Sequence, residues 1–424
     1  MFIKLKKILK RIGPGFITGA SDDDPSGIAT YSQIGAKFGY AQLWLIPFCY
    51  PFMVAIQEMC GRIGMVTGKG LSGVLRKHYS KPAVYIATSL LLIANIVNIG
   101  ADLGAMAASA QMVLGLPYAF WILLMTGVIL ALEIFVQYKV YAKILMILTF
   151  TLFSYFITAL IVKQDWGLIL QDTLIPQFEL SKDYIFNIVA FMGTTITPYL
   201  FFWQADEEVE EEIVEHKIVA IGVGIPRVAK YDVRNMRYDT VFGMLFSQIM
   251  TFMIVITTAA TLFANGVTNI STASDAASAL RPLAGDFAYV LFALGIIGTG
   301  LLAVPVLSGS AAYAVSEALG WRSGLGKKFR EVRGFYSVII IATMIGLLID
   351  FIGVDPIMAL YYSAAINGLL APPLMIFILL IGNNKKIMGK YVNKKASKIL
   401  TLIIIAVMGA CGIFLLYSIV TGMQ

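Results

Sequence analysis

Three consecutive aspartates, Asp22, Asp23 and Asp24, stand directly before Pro25, Ser26 and Gly27 in the stretch TGASDDDPSGIAT. The chain on either side reads as apolar helix, GPGFITGA before it and IATYSQIGAKFGYAQLWLIPF after it. A carboxylate in the middle of a membrane span costs about 2.5–3.5 kcal/mol on insertion scales. A bound cation offsets that cost. Pro25 lacks a backbone donor and breaks the helix, so carbonyl oxygens are released next to the acids. Carboxylate and carbonyl together form a hard oxygen ligand set for a cation. Asp24, next to the proline, is the leading ligand. Ser26 and Gly27 are small and leave room close to the backbone. Asp22 and Asp23 lie about a turn away. For them, capping the broken helix or lining an exit stands level with binding.

The rest of the chain must hold this break in a membrane. Of 424 residues 58% are hydrophobic and only 13% charged, against about 25% charged in a soluble domain. Mean hydropathy is +0.81. The apolar residues fall in blocks near the roughly 20 residues needed to span a bilayer. Eleven spans are predicted, at about 14–40, 43–67, 83–113, 117–138, 140–163, 184–205, 240–265, 285–318, 334–352, 355–381 and 398–421. With a cytoplasmic N-terminus, 28 of the 32 Lys and Arg residues fall in inside segments. Only Lys37, Lys163, Lys182 and Arg281 fall outside. Such a bias is the positive-inside rule, and an odd span count puts the C-terminus outside. The net charge of +7 then belongs to a basic cytoplasmic face, not to nucleic-acid binding. The basic start MFIKLKKILKRIGPG is a cytoplasmic lead-in, too short in apolar run for a cleaved signal. Cys49, Cys60 and Cys411 lie in or beside apolar segments, without metal-finger spacing, and are expected as buried thiols.

Eleven spans divide as five, five and one, so that spans 1–5 start inside and spans 6–10 start outside. Inverted repeats of this kind carry interrupted helices at matching places. The second interruption is expected in span 6, where FMGTTITPYLFFWQ holds Pro198 amid Thr194, Thr195, Thr197 and Tyr199. Two prolines thus open the first span of each half. Carbonyls from both breaks, with Asp24, would cage a cation near the bilayer centre.

DPSG resembles the DPGN motif of the NRAMP divalent-metal transporters. QEMCGRIGMVTGKGLSGVLRKHY, from Gln57 to Tyr79, is similar to their second-helix signature and is the most specific match. GADLGAMAASAQMVLGLP, from Gly100 to Pro117, resembles their third helix, and TTITPYLFFWQ their sixth. The resemblance covers nearly the whole chain. It implies one transmembrane domain over 1–424 with an all-α, LeuT-like fold: helices 1–5 at about 14–163, helices 6–10 at about 184–381 and an added helix at about 398–421. It also implies import of transition metals driven by protons, by alternating access. No cofactor is expected beyond the carried metal, and the chain is expected in the cell membrane as a monomer.

The departures from the family sharpen the expected substrate. Asp24 is kept, but Gly27 stands at the family's Asn position, Thr197 at its Met and Ala364 at its helix-10 Gln. Loss of the thioether removes the preference for soft ions. A wider, all-oxygen site suits Mg²⁺, which sheds water reluctantly and is held by one or two carboxylates with waters retained. The pattern resembles the NRAMP-related magnesium transporter branch, and implies transport of Mg²⁺, with Mn²⁺ also carried. Thr194, Thr195, Thr197 and Tyr199 are candidates for water-mediated contacts. The family's titrating residues are also thinned. Tyr199 and Gln204 replace histidines of helix 6, and Ala105 replaces a glutamate one turn from Asp102. Uncoupled transport is therefore expected, with Asp102 a relic or a partner for a polar group.

Other charges read as structural. Glu58 and Arg62 have the spacing of an i, i+4 ion pair. Glu133 and Glu317 fall near span ends and are expected at the interface. The run QADEEVEEEIVEHK, from Gln204 to Lys217, is expected as a solvated helix or as a cation sensor at the cytoplasmic mouth. An enzyme is excluded by the lack of a soluble domain or phosphate loop. The rival readings are a proton-coupled Mn²⁺/Fe²⁺ importer of the same family and a sodium-coupled organic solute transporter of LeuT-like fold.

Overall fold

The computed structural model describes residues 13–136, 150–224 and 226–421. It is helical, with no β-strand among the described residues. The principal helices are α1 (Pro14–Asp22), α2 (Pro25–Phe38), α3 (Leu45–Thr67), α4 (Leu71–His78), α5 (Lys81–Leu114), α6 (Tyr118–Phe135) and α7 (Phe153–Ile161) in the first half. The second half has α8 (Lys182–Thr195), α9 (Pro198–Val214), α10 (Lys230–Thr261), α11 (Ala288–Leu319), α12 (Arg333–Ile349), α13 (Pro356–Asn383) and α14 (Lys395–Thr421). Eight helical segments among the described residues are long and apolar enough to cross a membrane. The other expected spans are the interrupted pair α1–α2, α3 with its Glu58 and Arg62, and the fifth. Most of the fifth span's first half, with Lys139 and Lys143, lies outside the described residues, as does the basic stretch before Gly13.

Both expected breaks are present, and proline makes each of them. The residue before a proline is driven out of the helical region. Asp24 accordingly has φ −70° and ψ 172°, and Thr197 has φ −89° and ψ 138°. Pro25 and Pro198 occupy the first positions of α2 and α9, where a missing N–H costs nothing. They are helix starts, not mid-helix kinks.

The two halves pack by exchange. The broken first span, α1 and α2, lies along α10, the seventh. The sixth span reciprocates, with α9 against α3, the second. The third and eighth spans, α5 and α11, pack on one another most extensively. An inverted repeat produces this reciprocity. Gly19 and Gly243 make the α1–α10 approach: a Cβ on Gly19 would overlap the backbone of Gly243. The helix α10 begins ten residues before the expected start of its span, since Asp232 Oδ2 accepts from Ala229 N at 2.9 Å and fixes an earlier first turn. On the periphery, α14 exposes Leu402, Ile413, Leu416 and Ile419, an apolar face for lipid.

Candidate cation site

Asp24 is the N-cap of α2, and its carboxylate is fully engaged. Oδ1 accepts from Gly27 N at 2.8 Å and from Ser26 Oγ at 2.6 Å. Oδ2 accepts from Asn98 Nδ2 at 3.0 Å and from the Tyr199 hydroxyl at 3.3 Å. Four donors on two oxygens match the capacity of an ionised carboxylate, which only accepts. The group is 1% exposed.

The two breaks meet at this point. In a continuous helix the Ser21 carbonyl would accept from residue 25, but Pro25 has no N–H. The Tyr199 hydroxyl, from the other broken span, donates to that carbonyl at 2.8 Å. Ser26 Oγ lies 3.3 Å from Thr194 Oγ1, and Tyr31 OH lies 3.4 Å from Thr195 Oγ1. Gly27 permits a close approach here: a Cβ would stand 3.2 Å from Tyr31 Cε2, 3.3 Å from the Asp22 carbonyl and 3.4 Å from Thr194 Oγ1. The Thr197 side chain makes no cap for α9, and its buried hydroxyl has no partner in the protein.

The other candidates lie around this centre. Ser247 Oγ, on α10, donates to Asp22 Oδ2 at 2.6 Å and lies 3.3 Å from Asp23 Oδ1. The second oxygens, Asp22 Oδ1 and Asp23 Oδ2, are buried without a protein partner. Asp102 Oδ2 accepts from Asn98 Nδ2 at 3.3 Å, so it pairs with a polar neighbour one turn away. Ala364 is buried where α13 meets α8: a Cβ on Gly193 would overlap its carbonyl. That carbonyl faces Gly193, and the polar groups of α13 that approach the site are its neighbours. Ser363 Oγ donates to Asn98 Oδ1 at 2.9 Å and Asn367 Nδ2 to the same oxygen at 3.3 Å.

Asn98 is the residue that sequence reading missed. Its amide bridges Asp24, Asp102 and α13, and it is fully buried. The signal was its place four residues before Asp102 in a largely apolar helix. Every side chain in hydrogen-bond contact with Asp24 presents oxygen or amide nitrogen. No group of three or more His, Cys, Asp or Glu side chains is disposed around a metal position among the described residues. The set is sparse and hard.

Three charged features depart from expectation. Glu133 and Glu317 are not interfacial. They are 3% and 7% exposed, Glu133 accepting from Ser308 Oγ and Glu317 from the amides of Gly70 and Gly73, each at 2.8 Å. Most of the acidic run is not solvated either, Glu215 at its end being exposed and Glu211 half-buried. Asp206, Glu207, Glu208, Glu210 and Glu212 are all buried on α9, because α3 and α11 close around that helix. Glu58 and Arg62 do pair, at 3.1 Å, and Arg237 joins Glu58 at 2.7 Å.

Two interrupted helices crossing at a buried carboxylate, with the halves packed reciprocally, define a membrane transporter of LeuT-like fold. Mhp1, a nucleobase-cation-symport-1 family transporter, superposes with a TM-score of 0.58 at 12% identity, covering 96% of this chain and 93% of that one. The manganese transporter of Eremococcus coleocola, solved with an aromatic bis-isothiourea substituted compound, superposes with a TM-score of 0.77 at 15% identity, covering 98% and 87%. The profile of the Nramp family, natural resistance-associated macrophage protein-like, matches residues 15–418. The chain belongs to this family. Its curated relatives include two proteins named divalent metal cation transporter MntH. That of Yersinia pestis (strain Pestoides F) is 24% identical over 428 residues, 98% of this chain and 96% of its own length. That of Clostridium acetobutylicum is 26% identical over 438 residues, 99% and 93%.

Proposed function

We propose that this chain imports divalent metal cations, Mg²⁺ foremost and Mn²⁺ as well, by alternating access and without proton coupling. The observation that carries the reading is the ligand set at Asp24: one carboxylate, hydroxyls and carbonyls, with Thr197 where a thioether would select softer ions. Gly27 keeps the Asp22 carbonyl and Thr194 Oγ1 uncovered by any side chain of its own, so that both oxygens remain available to an ion or to its water. Mg²⁺ favours such an arrangement because it dehydrates reluctantly. Thr194, Ser26 and Tyr199 then hold those waters, and Asp24 supplies the charge.

The absence of coupling rests on the groups beside Asp24. Tyr199 and Asn98, which hold its Oδ2, do not titrate near neutral pH, and Asp102, on the same Asn98 amide, is, among the described residues, the one titratable side chain linked to Asp24 through it. A divalent ion crossing about 100 mV gains about 4.6 kcal/mol, at roughly 2.3 per charge, so inward flux needs no second ion. The charge bias of the loops supports a cytoplasmic N-terminus and an outer C-terminus, and the fold needs no partner chain. The competing reading is a proton-coupled Mn²⁺/Fe²⁺ importer; its metal, though not its coupling, agrees with the name of the Eremococcus coleocola manganese transporter. Recording a Mg²⁺ dye and a pH dye together in proteoliposomes at negative-inside potential separates the two. Mg²⁺ entering at constant internal pH is expected; acidification in step with the metal overturns the uncoupled reading.

A further inference from the structure

We propose that Asp206 and Glu317 form a second divalent-cation site, midway along α9 (Pro198–Val214) and about two turns past the break, toward the face assigned above to the cytoplasm. It rests on the reading of the chain as a divalent-cation transporter, and concerns residues that take no part in the central site.

Asp206 is 0% exposed, and neither of its carboxylate oxygens has a hydrogen-bond partner. The charged side chains bearing most on it are Glu317, Glu207 and Glu210, all acidic. A buried charge left in this state costs several kcal/mol. Glu317, on α11, accepts from the amides of Gly70 and Gly73 at the start of α4, each at 2.8 Å. The two carboxylates converge at Gly70: a Cβ added there would overlap both Asp206 Oδ1 and Glu317 Oε2. Glycine at 70 therefore keeps open the point where the acids face one another. The nearby basic groups make their hydrogen bonds elsewhere, although the charge of Lys69 acts on Glu317. Lys69 Nζ donates to the Gly222 carbonyl at 3.1 Å, and Arg76 to the Glu317 main-chain oxygen at 3.5 Å.

Of the pair, Glu317 has access to water: with Gly73 it lines a cavity of about 630 Å³ whose other charged residues are Lys69, Arg76, Lys77, Arg322 and Lys327. Two opposed carboxylates beside a wet cavity suit an ion that keeps several waters, as Mg²⁺ does. The site lies about two turns past the central one on the same broken span, α8–α9.

The test counts bound Mn²⁺ per full-length chain in detergent by electron paramagnetic resonance. The unmodified protein is expected to bind two, Asp24→Ala one, Asp206→Asn one, and the double variant none. An unmodified count retained by Asp206→Asn and Glu317→Gln overturns the second site and leaves the central reading intact. A count that Asp24→Ala fails to lower overturns the central reading instead. If Asp206→Asn does not yield folded protein, Gly70→Ala gives the same answer by filling the meeting point while leaving both acids in place.

Discussion

Asp24 and Asp206 are both carboxylates sealed inside an apolar bundle, yet the protein treats them oppositely. Asp24 receives four hydrogen bonds from three helices. Asp206 receives none. Hydrogen bonds pre-organise Asp24 as an anion whose position is fixed before any metal arrives. At Asp206 only an ion, or a proton, can answer the charge. On the reading proposed above, a central transport site gains from the first arrangement, since a rigid, satisfied carboxylate neither traps its cargo too tightly nor collapses when the cargo leaves. The second arrangement would tie occupancy to the concentration of free ion.

The widest separation between the two is expected in stability without metal. Asp24→Asn would turn an amide against the donors of Asn98 and Tyr199, and should destabilise by about 2 kcal/mol, since hydrogen bonds to charged groups contribute about 1.5–3 kcal/mol. Asp206→Asn orphans no donor and should be neutral or stabilising. Thermal unfolding in detergent with a chelator reads both, and equal losses for the two variants would erase the distinction. Next in size is Asn98→Ala, which leaves Asp24 and Asp102 facing each other without their shared donor. Mg²⁺ uptake should show apparent affinity lower by about tenfold or more, one such bond being about 1.4 kcal/mol or above. An unchanged KM would show that Asn98 only fills space. Thr197→Met should act on selectivity. Restoring a thioether should raise Mn²⁺ over Mg²⁺ uptake by about several-fold in competition, and no change would mean that residue 197 does not see the ion.

The sequence made some of this plain and concealed the rest for identifiable reasons. Asp24-Pro25 and Thr197-Pro198 announce both breaks, because proline and the residue before it have few conformations open to them. Asn98 was concealed because an amide in a largely apolar helix serves packing as readily as a site, as Asn95 does by donating to the Leu307 carbonyl and Ser310 Oγ on α11; only its i, i+4 relation to Asp102 marked it. On α13 the register decides which side chains approach the site. Ser363 and Asn367 reach Asn98, while Ala364 between them abuts Gly193. The acidic run misled most. Seven acids in a dozen residues normally mean a solvated helix, but α9 continues unbroken from PYLFFWQ into the run and carries the acids under α3 and α11. Which neighbours enclose a helix is a tertiary fact that a charge pattern does not encode.

The most direct test of the account is Mg²⁺ uptake into proteoliposomes under a negative-inside potential, comparing Asp24→Ala with the unmodified protein. The account predicts a saturable Mg²⁺ signal that Asp24→Ala abolishes. A protein that carries Mn²⁺ but never Mg²⁺, or an Asp24→Ala variant that carries Mg²⁺ undiminished, would contradict it.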